Sequence, residues 1–300
     1  MLLTAAALGG CLLLLVTAVP RALAAATWPS RSPAYALVLW QAIGLVMGLL
    51  AIEVATTVAL APAGTTHRDA LRSLPGAALP WWSFAALALA AALLVRLLSV
   101  LVVSTARTLR ARRRNRVLVD LVATRNPLLA KTRIVDHAVP VAYCLPGLRP
   151  RVVVSRGVLD LLRDDEVRAV LAHEEAHVEQ RHDLVILPFV ALGATFPWLA
   201  GVRTARGQVA LLIEMLADDR AVRRHPRAVL ARALAKVGAA TVPDGAIGAT
   251  SDGVLLRAQR LVGPAVPLGT AGRLAVLGLA GLVLSVPLLG VLGPLSLAGG

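Results

Sequence analysis

Charge, aromatic side chains, lysine and cysteine are all scarce in this 300-residue chain. Charged residues make up 16% and aromatic residues 3%, against 57% hydrophobic residues. A water-soluble domain carries about 25% charged and about 45–50% apolar residues, so an ordinary soluble globule is excluded. Disorder is excluded as well, because it requires low hydrophobicity. Cys11 and Cys144 are the only cysteines, which leaves no disulfide framework. Lys131 and Lys236 are the only lysines among 31 basic residues, so the net charge of +14 is carried by arginine. A nucleic-acid interface needs a basic face interleaved with aromatics, so no direct nucleic-acid binding is expected. The excess instead reports topology and attraction to anionic headgroups. Met1–Pro20 contains no Lys or Arg. Although Ala22-Leu23-Ala24 resembles a cleavage site, the first apolar run is therefore expected to be a retained span rather than a signal peptide.

What is present is long apolar sequence. Four runs are long enough to cross a bilayer, which takes about 20 helical residues: Leu2–Val19, Tyr35–Leu60, Trp81–Val103 and Leu274–Leu297. Arg107, Arg110, Arg112, Arg113, Arg114 and Arg116 follow the third run at once. The positive-inside rule makes that segment cytoplasmic, with both termini outside. Glu53 and Arg96 lie inside runs at depths differing by roughly 12 Å, so each is expected to snorkel to its nearer interface rather than pair. A fifth run, Leu184–Val202, carries Pro188, Pro197, Gly193 and Gly201, which suits a bent, non-spanning helix better than a straight span.

The segments between the third and fourth runs could build one small core. Ile134–Asp136, Val141–Leu145 and Arg151–Ser155 read as short strands, separated by turns at Pro140 and Pro146-Gly147. Asp164, Asp165 and Glu166 then open a helical run, where the helix dipole favours acids. That run contains His173-Glu174-Glu175-Ala176-His177. Histidines four apart stack on one helix face about 6 Å apart, the bite a tetrahedral Zn²⁺ needs. Glu174 can take the proton of a metal-bound water. With six histidines in the chain, chance seldom produces this pattern. Glu214 and Asp218 lie four apart in a later helical run. Glu214 is the candidate third ligand, and Asp218 could accept a hydrogen bond from a ligand imidazole and fix its tautomer. Which imidazole it would orient stays open. Three ligands leave one coordination position open, the catalytic arrangement.

His173-Glu174-x-x-His177 followed by Glu214-x-x-x-Asp218 resembles the zinc peptidases with a glutamate third ligand, the gluzincins. The wider run from Pro150-Arg151-Val152-Val153-Val154-Ser155 to Arg181-His182-Asp183 resembles the BlaR/MecR-like membrane metallopeptidases. The likeness covers about 141–219 by motif and the remainder through the order of the spans. It implies a cytoplasmic zinc protease domain between the third and fourth spans. It also implies an edge strand at Arg151–Ser155 able to pair with an extended substrate, and a link to inactivation of a BlaI/MecI-like repressor. The best-known members carry a penicillin-binding sensor after the last span, whereas this sequence has almost nothing beyond Leu297. Sensing by acylation is therefore not expected.

The expected fold is a mainly α membrane protein. A three-span region 1–103 and a final helix 273–300 flank an α+β protease domain 104–272 that includes the non-spanning apolar helix 184–202. The expected function is a zinc-dependent endopeptidase of the bacterial cell membrane, acting on a cytoplasmic or membrane-proximal protein. His173, His177 and Glu214 hold the metal, Glu174 is general base and acid, and Asp218 lies behind a ligand. His225 or Arg220 is the candidate oxyanion stabiliser, and His182 a weaker one. Quality control of membrane proteins, or a scaffold with a structural metal site, are the alternatives.

Overall fold

Long runs of alanine, leucine and valine account for most of the architecture. The computed structural model describes residues 1–122, 124–125, 132–145, 151–241, 249–264 and 266–292. Helix α1 (Leu2–Ala25) leads through the one-turn α2 (Trp28–Arg31) into α3 (Pro33–Leu60); the short α4 (His67–Ser73) then precedes α5 (Trp81–Val122). A sheet follows, made of β1 (Thr124–Arg125), β2 (Thr132–Val135), β3 (Ala142–Leu145) and β4 (Arg151–Ser155). Helices α6 (Arg156–Leu161), α7 (Asp164–Glu179), α8 (His182–Thr195), α9 (Ala200–Ala221), α10 (Arg227–Thr241), α11 (Ala249–Val262) and α12 (Thr270–Leu292) complete the chain.

Among the described residues, four helices are long and apolar enough to cross a membrane: α1, α3, the Trp81–Ala111 part of α5, and α12 to Val291. Residues 293–297 of the fourth apolar run lie outside the described residues, as does the turn at Pro146-Gly147. Helix α3 is the centre of the bundle, with Leu39, Trp40, Ile43 and Leu50 all buried, and it packs against α1, α5, α8, α9 and α12. Helix α5 does not stop at residue 103. Neither Pro nor Gly occurs between Trp81 and Val122, so one helix of about 60 Å carries both the apolar run and the arginines that follow.

The apolar run 184–202 is not one helix. It consists of α8, a turn at Phe196–Leu199 and the start of α9. The 14 residues of α8 reach only about 21 Å, short of the roughly 30 Å hydrocarbon core. Its neighbours bond it at two points: Gln41 of α3 donates to the Val185 carbonyl (2.7 Å) in the first turn, and Arg96 of α5 to the Ala194 carbonyl (3.1 Å) at the C-terminal end. Glycine permits two of these approaches. A Cβ on Gly44 would stand 3.0 Å from the Phe189 ring, and one on Gly201 would overlap the Val16 carbonyl where α9 crosses α1.

Two expectations are corrected. Glu53 does not snorkel: it is buried where α3 meets α12, against Gly290, with no hydrogen-bond partner for its carboxylate among the described residues. Arg96, exposed, donates to the carbonyl at the end of α8. The strand Arg151–Ser155 is not an edge. The order is β1-β2-β4-β3, with β4 parallel to β2 on one side and antiparallel to β3 on the other. Both rows of β4 backbone groups are thus used, and among the described residues the free edge beyond β4 belongs to β3.

Candidate metal centre and cleft

Helix α7 starts where Glu166 accepts from the Arg163 amide (3.0 Å) and receives Lys236 Nζ at 2.6 Å. Val167, Val170 and Leu171 turn one face of α7 onto Val152 and Val154 of β4. That rotation carries His173 and His177 toward α9, against which α7 packs. The first half of α9 is rooted in the bundle through Val202, Ala205 and Val209, and its later turns present Glu214 and Asp218 to α7.

His173 Nε2 and His177 Nε2 stand 3.2 Å apart, and the Glu214 carboxylate oxygens lie 3.4 and 3.5 Å from them. Four ligands about 2.05 Å from a tetrahedral zinc define edges of about 3.3 Å, so the spacing of these donors fits a zinc ion. His173, His177 and Glu214 are also the one set of three or more metal-capable side chains found together among the described residues. Asp218, buried, places Oδ1 2.9 Å from His173 Nδ1, so the imidazole it faces is His173. A proton held on Nδ1 leaves Nε2 with the lone pair that a metal requires.

His177 is backed by a residue to which the sequence assigns only a minor place. Arg181 adopts the left-handed conformation (φ 49°) and swings His182 back toward α7. His182 Nε2 donates to Gln180 Oε1 at 2.7 Å, which leaves His182 Nδ1 to accept from His177 Nδ1 at 2.9 Å. This network, from which the protons are assigned, again frees the ligand's Nε2. Burial and the nearby His177 lower the His182 pKa to about 4, so it is neutral and able to accept.

The side chain that sequence reasoning missed is Arg257 of α11. It lies buried with Nε and one terminal nitrogen each 2.8 Å from the two Asp218 oxygens, and its other terminal nitrogen 2.8 Å from Glu214 Oε2. In the sequence it is one of several arginines before the last span and serves only as a topology marker. Arg257 pairs with Asp218 and Arg260, three residues on, with the adjacent Asp219, a matching that no spacing in the sequence signals. Burial opposes ionisation of Glu214 and Asp218, yet Arg257 and His173 outweigh it and hold both pKa values at about 2. Burial likewise disfavours charge on His173, but the two carboxylates raise its pKa to about 9 in the metal-free site.

A cleft of about 140 Å³ opens on these groups. Glu174, His173, Glu214 and Arg257 line it together with Ala142 of β3 and an apolar wall that includes Leu230, Leu234 and Val237. Arg220 and His225 do not line it. Arg220 is paired with Glu179 at 3.0 Å, and His225 sits in the turn after α9. Of the candidate oxyanion stabilisers, Arg220 is thus engaged with α7 outside the cleft, and the cation that lines the cleft is Arg257.

Residues 106–222 match the family described as Peptidase family M48, whose members are zinc-dependent. That is a coarser result than the BlaR/MecR-like resemblance, on which the match does not bear. A protein named Protease HtpX homolog, from Aeropyrum pernix, is 47% identical over 68 residues, which are 20% of this chain and 21% of that protein. The match thus spans about a fifth of that relative's length. No solved structure matches. The two matches, to a peptidase family and to a protease, indicate a metalloprotease, a hydrolase of peptide bonds, and the family match spans the His173–His177–Glu214 cluster.

Proposed function

We propose that this chain is a zinc-dependent membrane endopeptidase that cuts an extended segment of a protein presented at the inner membrane face. The observation that carries this reading is the convergence of three donors at tetrahedral spacing in a cleft also lined by Glu174 and the edge strand β3. Zinc bound by His173, His177 and Glu214 would supply Lewis-acid polarisation and acidify a water. Glu174 takes the proton of the attacking water and returns one to the leaving amine. Asp218 and His182 hold the two imidazoles in the ligating tautomer. Arg257, on the cleft wall, is the cation available to the developing oxyanion. The substrate backbone adds to the free edge of β3, the strand that contributes Ala142 to the cleft.

The exposed Arg107, Arg110, Arg113 and Arg114 in the distal half of α5 support a reading with the cleft inside and both termini outside. A BlaI/MecI-like repressor and damaged membrane proteins are the two classes of substrate this site would suit. The deciding experiment compares newly formed protein N-termini in cells expressing wild type and Glu174→Ala. A cut seen only with wild type supports the protease. A repressor fragment then assigns it to signalling, and scattered membrane-protein fragments to quality control. Identical profiles under membrane stress and cell-wall antibiotics would overturn the reading in favour of a scaffold.

A further inference from the structure

A second cavity, of about 400 Å³, lies apart from the cleft where the chain leaves α2 and enters α12. Arg31, Arg227 and Arg260 line it, together with Asp219 and an apolar rim that includes Val266 and Pro267. Arg260 is neutralised by a two-pronged pair with Asp219 at 2.7 and 2.8 Å. Arg31 and Arg227 have no carboxylate partner among the described residues. Arg31 donates from Nε to the Val266 carbonyl (3.0 Å), and Arg227 donates to the carbonyls of Leu261 (3.0 Å) and Arg260 (2.6 Å). Neutral carbonyls orient these guanidiniums without cancelling their charge. Each retains further N–H donors, and the fork geometry of a guanidinium suits phosphate oxygens.

The position narrows the ligand. Ser30 and Arg31 belong to the turn between α1 and α3, and Leu268 N donates to Ser32 Oγ at 3.0 Å, which ties the approach to α12 to the start of α3. The cavity therefore sits at the ends of three membrane-length helices, where headgroups would lie in the membrane reading above. Basic and apolar side chains lining one cavity fit an amphiphile better than a bare anion.

We infer that this cavity binds a phosphate ester of net negative charge, presented by a lipid headgroup or by a soluble phosphomonoester. Binding requires no peptidase turnover, so it stands or falls separately from the protease reading. Arg260 lies one turn beyond Arg257 on α11, so the helix that closes the cavity also holds the arginine of the cleft.

The test uses the full chain, delipidated in a neutral detergent, with binding read by native mass spectrometry and thermal shift. The probes are phosphatidylglycerol, phosphatidylcholine, glycerol 3-phosphate and inorganic phosphate. Phosphatidylglycerol should bind in preference to phosphatidylcholine, and Arg31→Gln and Arg227→Gln should each weaken it about tenfold. Arg107→Gln combined with Arg110→Gln, in the exposed cluster of α5, should change it less than about twofold. Equal binding of glycerol 3-phosphate would support the site with a soluble source, and its failure alongside retained lipid would support a headgroup. Arg227 also holds the end of α11, so circular dichroism accompanies that variant, while exposed Arg31 provides the independent one. No anion-dependent binding, or an equal loss in the α5 variant, would overturn the inference.

Discussion

Arg257 and Asp218, 39 residues apart, meet in a buried two-pronged ion pair with both contacts at 2.8 Å. The pair stands directly behind His173, whose Nδ1 faces Asp218 Oδ1. Removing one partner of a buried pair strands the other charge, at a cost of about 3–5 kcal/mol. Arg257→Ala should therefore lower the melting temperature and peptide cleavage together. Arg257→Lys keeps the charge but loses the fork, and should recover part of the stability and less of the activity. Thermal unfolding alongside a peptide-cleavage assay would check this. Wild-type behaviour of Arg257→Ala in both would show that the pair is dispensable.

The two imidazoles are oriented differently, one by a carboxylate and one by a neutral histidine. Asp218→Asn and His182→Ala should each weaken zinc binding by about 10–100-fold, while Glu174→Gln should leave stoichiometric metal with cleavage lost by at least about 100-fold. Metal content after dialysis against a graded chelator would rank them. Unchanged retention in His182→Ala would remove His182 from the orienting network.

The pH dependence follows from the charges in the metal-free site. The His173 pKa is raised from 6.5 to about 9, so its contribution to stability is complete below pH 6.5 and is lost as pH rises through about 9. Glu214 and Asp218 are lowered to about 2, so theirs is present above about pH 4.5 and is lost as pH falls through about 2. Metal must displace the His173 proton from Nε2. Apparent zinc affinity should therefore rise by about tenfold per pH unit between 6.5 and 8.5. Competition titrations at pH 6.5, 7.5 and 8.5 would measure the slope. A flat response would mean that His173 is already neutral.

Gly201 carries α9 across the backbone of α1 at Val16, so the metal-centre helix is anchored in the bundle by a contact with no room for a side chain. Gly201→Leu should force the two helices apart, reduce folded protein in the membrane and weaken zinc retention, although residue 201 lies well away from Glu214 in α9. Gly207→Ala, on the same helix with open space around it, should be silent. Equal effects of the two would show that the loss does not come from the crossing at Val16.

Local sequence determined the membrane-length helices, the strand segments and the pairing of residues along one helix face. Hydropathy over about 20 residues is a property of the chain alone. So is the i, i+4 geometry that stacks His173 on His177 and Glu214 near Asp218. Relationships between elements were decided only by packing. The crossing of α7 and α9 selected His173 as the imidazole facing Asp218. The return of the chain at Arg181 brought His182 to His177, and the docking of α11 delivered Arg257 from outside the motif region. Sheet order made β3 rather than β4 the open edge, because strand neighbours are set by which backbone groups remain unpaired after folding. Burial of Glu53 against Gly290 likewise depends on where α12 lies, which the composition of α3 does not encode. Spacing along a helix is covalent geometry, whereas charge partners and free edges arise from contacts between segments far apart in the chain.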